Sequence, residues 1–336
     1  MTKLSKFIVL GIATVFSSVL LQGQTTATHS STSTHTAATH TAATHTTATA
    51  APVVPDGPAV TSQPHKIYID TVGNKLWWPL DKPFWVRLAA SPDADAPSFL
   101  LQRETPDNGS TSAKGSRDGI EVAVQGKQYV RWYNAATKQT VNLLFFTDGE
   151  PPVTKADCSG AQSIVEGFTT YYGKGLRCSL SATDDLSGVD TMFLSINGKA
   201  YQPYSSAVAL DTEQKVVLHY YSVDHVGYTE KPSGMQFIVD LTPPATTDTI
   251  TGNAIGDVLS TQAKFRIAST DALSGVANIQ TRFDQQDFKL LSSGEVSVEA
   301  LSDGEHTLSY YAADRVGNRE TEHDVKFYLD RLPPTV

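Results

Sequence analysis

The stretch DALSGV (271–276), followed by HTLSYYAADRVGN (306–318) and FYLDRLPP (327–334), decides the architecture of this chain. It reads as strand, loop, strand and a prolyl hinge. The same framework stands one unit earlier as DDLSGV (184–189), VLHYYSVDHVGY (217–228) and FIVDLTPP (237–244). A worn copy precedes both, in YVRWYNAATKQT (129–140) and FFTDGEPP (145–152). Paired prolines therefore begin at Pro151, Pro243 and Pro333, spaced 92 and 90 residues apart, and the aromatic pairs Trp132-Tyr133, Tyr220-Tyr221 and Tyr310-Tyr311 recur at 88 and 90. A fixed period near 90 residues means tandem modules.

Within a module the hydrophobic period is two. AKFRIAS (263–269) sets Phe265 and Ile267 against Lys264 and Arg266, and later runs at 276–283, 295–300, 306–313 and 324–329 are broken by Ser-Gly, Asp-Gly and Gly-Asn turns. In 306–313, Leu308, Tyr310 and Ala312 share one face, while Thr307, Ser309 and Tyr311 share the other. Short alternating strands with turns every eight to twelve residues predict an antiparallel β-sandwich, and no window holds the 3.6-residue period of a helix. The fold class is all-β: three tandem Ig-like sandwiches at 65–150, 151–242 and 243–332, the first of them divergent.

These residues also carry a family likeness. DxLSGV, then GxHTLxYYAxDxxGN, then a prolyl hinge resembles the bacterial immunoglobulin-like surface repeats named for a leptospiral outer-membrane protein (OmpL type). The likeness is close over 243–334, good over 151–244 and slight before 151. It implies a secreted or surface-displayed adhesive or spacer protein and brings no residue-level function.

The chain begins with Lys3 and Lys6, an apolar run at 7–21, and Gly23, the layout of a secretory signal peptide at 1–23. Residues 24–64 follow as a Thr/Ala/His-rich stalk that ends in the Pro-rich PVVPDGP. Such a segment has too few apolar residues to bury a core and is expected to be disordered. Its His29, His35, His40 and His45 have no fold to hold a metal geometry. Removing Lys3 and Lys6 takes the formal charge from -9 to -11, which leaves no electrostatic reason to bind nucleic acid or anionic lipid. After signal cleavage no integral membrane segment is expected. The localisation read from these features is secreted, cell-surface or outer-envelope in a bacterium, or periplasmic.

Both cysteines, Cys158 and Cys178, belong to the middle module. In an oxidising compartment such a pair forms a disulfide. Aligned on the hinge and on the DxLSGV loop, they correspond to Ile250 and Phe265 of the last module, so both should face the core. Neither belongs to a CxxC or Cys-His grouping of the kind that binds metal.

Two groups of residues are candidate sites. In an Ig-like sandwich the loop after the second strand and the loop after the sixth lie at one end. That places Asp184 and Asp185 near Asp224, and Asp271 near Asp314. The preceding hinge arrives at that end with Asp148 and Glu150 for the middle module and Asp240 for the last. Carboxylates converging there suit calcium, an all-oxygen-ligand cation. The competing reading is that each aspartate closes its own turn through backbone hydrogen bonds. The second group is aromatic: LWWPLDKPFW (76–85) holds Trp77, Trp78 and Trp85, while Trp132 aligns with core tyrosines. If the segment is extended, adjacent Trp77 and Trp78 point to opposite faces, which leaves room for at least one exposed indole able to stack on a sugar or anchor a protein. The competing reading packs them beneath the domain.

No GxSxG, HExxH, paired CxxC, phosphate-cradling glycine loop or nucleotide fingerprint is present. The function read from the sequence is a non-enzymatic surface or adhesion protein. Its modules act as spacers and as binding units for a protein or glycan at the cell surface or extracellular matrix. The alternative is an accessory, carbohydrate-binding region of a larger cell-envelope or carbohydrate-active enzyme.

Overall fold

The computed structural model describes residues 53–83, 87–89, 98–100, 122–134 and 138–332, and no helix occurs among them. The segment expected to be a signal peptide, most of the expected stalk, Trp85 and the final Pro333-Pro334 pair lie outside the described residues. The chain forms two compact units, one with Ile69–Gly149 and one with Pro52–Tyr68 and the chain from Glu150 onward.

In the first unit β1 (Tyr68–Asp70), β2 (Lys75–Pro79), β5 (Gly126–Asn134) and β6 (Gln139–Asp148) form one sheet in the order β1-β2-β6-β5. β3 (Arg87–Ala89) and β4 (Ser98–Leu100) pair separately. Val122 and Phe145 are its buried apolar centre, packed by Leu76, Trp78, Leu80 and Leu143.

The second unit contains two sandwiches of identical topology. The first is built from β7 (Val153–Ser159), β8 (Ser163–Glu166), β9 (Thr169–Tyr172), β10 (Arg177–Thr183), β11 (Val189–Ile196), β12 (Gln202–Pro203), β13 (Val208–Ala209), β14 (Gln214–Asp224) and β15 (Ser233–Val239). Its sheets run β13-β10-β7 and β12-β11-β14-β15-β9-β8. The second repeats this with β16 (Ala245–Thr251), β17 (Ala254–Ile255), β18 (Val258–Leu259), β19 (Lys264–Thr270), β20 (Val276–Phe283), β21 (Lys289–Leu290), β22 (Glu295–Ser297), β23 (Gly304–Asp314) and β24 (His323–Leu329). Its orders are β16-β19-β22 and β17-β18-β24-β23-β20-β21.

Alternation explains why these strands pack. On β19 Phe265 and Ile267 are buried while Lys264 and Arg266 are exposed; on β23 Leu308, Tyr310 and Ala312 all enter the core. Each fully buried Phe or Leu contributes about 1.5–3 kcal/mol relative to exposure. One feature recurs in all three copies. The strand that leads to the hinge lies beside a parallel neighbour from the start of its module: β2 on β6, β9 on β15 and β18 on β24. This carries the repeat pattern into the first unit.

Cys158 and Cys178 form a disulfide between directly opposed positions of β7 and β10. Cys178 is buried in the core and Cys158 packs against it. Ile250 and Phe265 occupy the same opposed positions on β16 and β19. The cystine therefore replaces an apolar cross-strand pair.

The linker departs from expectation. Residues 53–64 form no strand, yet they pack with the middle module instead of standing off as a disordered stalk. Val54 meets Gly234, the Pro55 carbonyl accepts from His219 Nε2 (2.6 Å), and Lys66 N–H donates to Val226 O (2.9 Å). The physical reason is that a proline-bearing segment loses less entropy when it is held extended, so few contacts suffice to fix it.

Candidate functional site

The DxLSGV and DxxGN loops of the last module lie together, and the end of β15 delivers Asp240 between them. Asp271 follows β19, and its Oδ1 accepts from Leu273 N–H (3.1 Å) and Gly275 N–H (2.6 Å). Asp314 ends β23, and its Oδ1 accepts from Val316 N–H (3.0 Å) and Asn318 N–H (2.8 Å). Gly275 and Gly317 sit at φ 81° and 93°, the left-handed conformation that lets each loop turn back over its aspartate. The turn-closing reading thus holds for one oxygen of each carboxylate. It leaves Asp271 Oδ2 without a hydrogen bond, whereas Asp314 Oδ2 accepts only from the Asn318 amide (2.6 Å).

Asp240 completes the group. One carboxylate oxygen each from Asp240, Asp271 and Asp314 lies within 4.8 Å of the other two. Asp240 is fully buried, Asp314 is 2% exposed and Asp271 is half-buried, so Asp271 forms the outward side of the cluster. Asp240 accepts from Thr242 N–H (3.2 Å) and Ser274 N–H (3.0 Å), and its backbone carbonyl accepts from the Asn318 amide (2.9 Å). The buried Ser274 hydroxyl completes no hydrogen bond, but it lies close enough to Asp240 to favour that carboxylate's charged form.

None of the three carboxylates pairs with a lysine or arginine among the described residues. Burial pushes the Asp240 pKa up, the contacts from Ser274 oppose the rise, and the charges of Asp271 and Asp314 add to it. A pocket of buried, mutually repelling carboxylates with no cation is costly unless a proton or a metal ion enters it.

The cluster sits where the last two modules meet. A side chain on Gly173 would stand 2.2 Å from Val316 O, so the backbones touch there. Arg315 pairs with Glu166 (3.3 Å) beside that contact.

Of the other expected acidic residues, Asp184 and Asp224 come within 4.8 Å of each other, in loops that match those of Asp271 and Asp314. Asp184 Oδ1 accepts from Leu186 and Gly188, and Asp224 Oδ1 from Val226, Gly227 and Tyr228. Asp148 is buried at the end of β6. Asp185 and Glu150 are exposed. Two residues that contact the cluster were not singled out in the sequence, Ser274 and Asn318. Ser274 recurs as Ser187 of the middle module, whereas the Asn318 position holds Tyr228 there, and nothing local shows that either reaches the preceding module's hinge.

Of the two tryptophan readings, the geometry matches the one that packs them within the domain. Trp77 is 4% exposed and packs on Phe146 (ring centroids 5.1 Å), because β2 runs parallel to β6 and sets the two residues side by side. Trp78 is half-buried against Val122 and Phe145, and its Nε1–H donates to Lys82 O (2.7 Å). Both indoles are used by the domain itself, so they do not form an exposed pair. The side chain of Trp132, expected to be buried, lies outside the described residues.

No protein-family model matches the chain, and no curated protein matches it. Among solved structures it is similar to the fibronectin(III)-like modules of CbhA from Clostridium thermocellum, at 14% identity and TM-score 0.31, over 53% of this chain and 95% of that one. It is also similar to a structure concerned with host cell surface retention of a 1.5-MDa bacterial ice-binding adhesin, at 13% identity and TM-score 0.32, over 81% and 100%. A third is the FN1-FN3 region of chicken CNTN1, at 12% identity and TM-score 0.24, over 62% and 80%.

Proposed function

We propose that the chain is an exported, non-enzymatic surface protein of the OmpL-type repeat kind, whose Ig-like modules serve as spacers and as binding units for a protein or glycan. In this reading Asp240, Asp271 and Asp314 hold a calcium ion that stiffens the junction of the last two modules. The observation that supports it is the convergence of three carboxylates from two modules with no cation to balance them. All the available donors are oxygens, which selects a hard cation. The three oxygens lie within 4.8 Å of one another, close enough for one ion to reach all of them. Asn318 and Ser274 tie the hinge to both loops, so a bound ion would brace a contact that already exists.

The test is calorimetric titration of the full chain with calcium, paired with small-angle scattering in chelator and in millimolar calcium. One saturable site or more, with a more extended and less variable scattering profile, is the expected result. No binding heat together with superimposable profiles would remove the calcium reading. Surface proteolysis of intact cells tests display separately, because a surface protein is cut while cytoplasmic markers stay whole.

A further inference from the structure

The outer faces of the two sandwiches in the second unit are closed in different ways. In the last module Phe288 and Tyr311 meet edge to face (4.8 Å), and each is covered by an arginine. Arg282 lies over Phe288 (4.4 Å), Arg319 lies over Tyr311 (3.5 Å), and both arginines are tied to Glu322. By strand register the middle module has Tyr201 and Tyr221 at the aromatic positions, again edge to face (4.7 Å), and Phe193 stacks on Tyr221 (4.9 Å). At the two arginine positions it has Ser195 and Thr229. Its aromatic face therefore has no lid of its own.

The linker supplies the cover. Val54 sits on Gly234, and His219 Nε2 donates to the Pro55 carbonyl (2.6 Å). Gly57 lies so close that a Cβ there would stand 2.8 Å from both His219 Cγ and Tyr201 Oη. Tyr221 and His219 are 3% and 5% exposed under this strap. The fit is incomplete. Tyr201 Oη and His219 Nδ1 are both buried with no hydrogen-bond partner. Since the Pro55 carbonyl can only accept, Nε2 carries the proton and Nδ1 presents an unused acceptor. A ligand that satisfied these two atoms would hold the face better than the strap does.

We propose that the face formed by Phe193, Tyr201, His219 and Tyr221 is a docking site for an extended, proline-containing segment of a protein partner, and that residues 54–57 occupy it in cis as a displaceable stand-in. A preformed extended segment on an aromatic surface, with one main-chain carbonyl fixed and a small residue where the walls close, is a familiar mode of proline-segment recognition. The strap is anchored separately downstream, where Lys66 bonds Val226 and Asp190 and Tyr68 stacks on His225 (4.0 Å). Release of residues 54–57 would therefore free the stalk without detaching the linker.

The test uses the full chain and a labelled peptide of residues 53–60, VVPDGPAV, followed by fluorescence anisotropy. Gly57→Val cannot seat in the narrow gap, so this variant should bind the peptide at least tenfold more tightly than the wild-type chain. A peptide carrying the same change should not bind. Equal binding by variant and wild type, or none by either at millimolar peptide, overturns the proposal. As a second arm independent of folding, a protease site placed at Thr61-Ser62 is cut after purification. If the freed segment exchanges with labelled peptide, the proposal stands; if it dissociates and no peptide replaces it, the proposal fails.

Discussion

Asp271→Asn separates a cation site from a simple turn, because the two readings give opposite signs. Asparagine keeps an Oδ1 that accepts from Leu273 and Gly275, so the turn survives the change. The substitution removes one charge from a trio whose oxygens lie within 4.8 Å of each other. At 4.8 Å, the outer limit of those separations, and an effective dielectric constant of 20, each carboxylate pair repels by about 3.5 kcal/mol. Asp271 is half-exposed, and solvent and salt reduce this to about 1 kcal/mol per pair. In chelator the variant should therefore be more stable than wild type by about 1–2 kcal/mol, or roughly 5–10 °C for a domain of this size. In calcium at a hundred times its dissociation constant, wild type gains about 2.7 kcal/mol and the variant gains little, so their order reverses. Burial raises the Asp240 pKa, as do its two acidic neighbours, so its contribution to stability is present below pH 3.8 and lost as pH rises through its folded value. Wild-type stability in chelator should accordingly fall with pH over that window, less steeply in the variant and least in calcium. Calorimetric melts of full chains at pH 5 and 7.5, in chelator and in calcium, give all of these comparisons. A wild-type melt that ignores calcium, or a variant destabilised equally in both buffers, refutes the reasoning.

Replacing Cys158 and Cys178 with alanine opens a loop whose ends are 20 residues apart and should cost about 3 kcal/mol, seen as an earlier urea transition of the middle module alone. Glu320→Ala removes the buried carboxylate that accepts from Thr246 N–H (3.2 Å) and Ala312 N–H (2.6 Å), and should cost roughly 2–4 kcal/mol, with amide exchange rising first at those two residues. Gly173→Ala places a Cβ against Val316 O, so scattering should report a changed angle between the last two modules while each keeps its circular dichroism. The hydrogen bond to Asp284 raises the His306 pKa, and His306 and Thr307 lower that of Asp284 against the effect of burial. The pair's stabilisation is therefore lost as pH rises through the raised His306 value and again as pH falls through the lowered Asp284 value; Asp284→Asn should flatten both limbs of the stability profile.

Much of the last two modules was legible because their strands alternate cleanly. Lys264–Thr270, Val276–Phe283 and His323–Leu329 lie within a residue of the runs read from the sequence. β16 was not legible: ATTDTIT is an edge strand whose Asp248 accepts from the Tyr310 hydroxyl, and its polar residues hide the period. The cysteine pairing was legible through Ile250 and Phe265, since a repeat supplies its own alignment. The tryptophans were not, because adjacency on a strand tells which residues oppose each other but not what covers either face.

The three aspartates show where the boundary falls. Sequence by itself determined their loops, their spacing from the hinge and the end of the module on which they gather, because turn chemistry and a two-residue period are local properties that repetition makes readable. Only the tertiary structure decided that the Asp240 carboxylate is buried between Asp271 and Asp314 with no lysine or arginine paired to it among the described residues, and that residues 54–57 close a face on the middle module. Burial and the absence of a balancing cation depend on what other segments bring to the same point, and no stretch of sequence contains that.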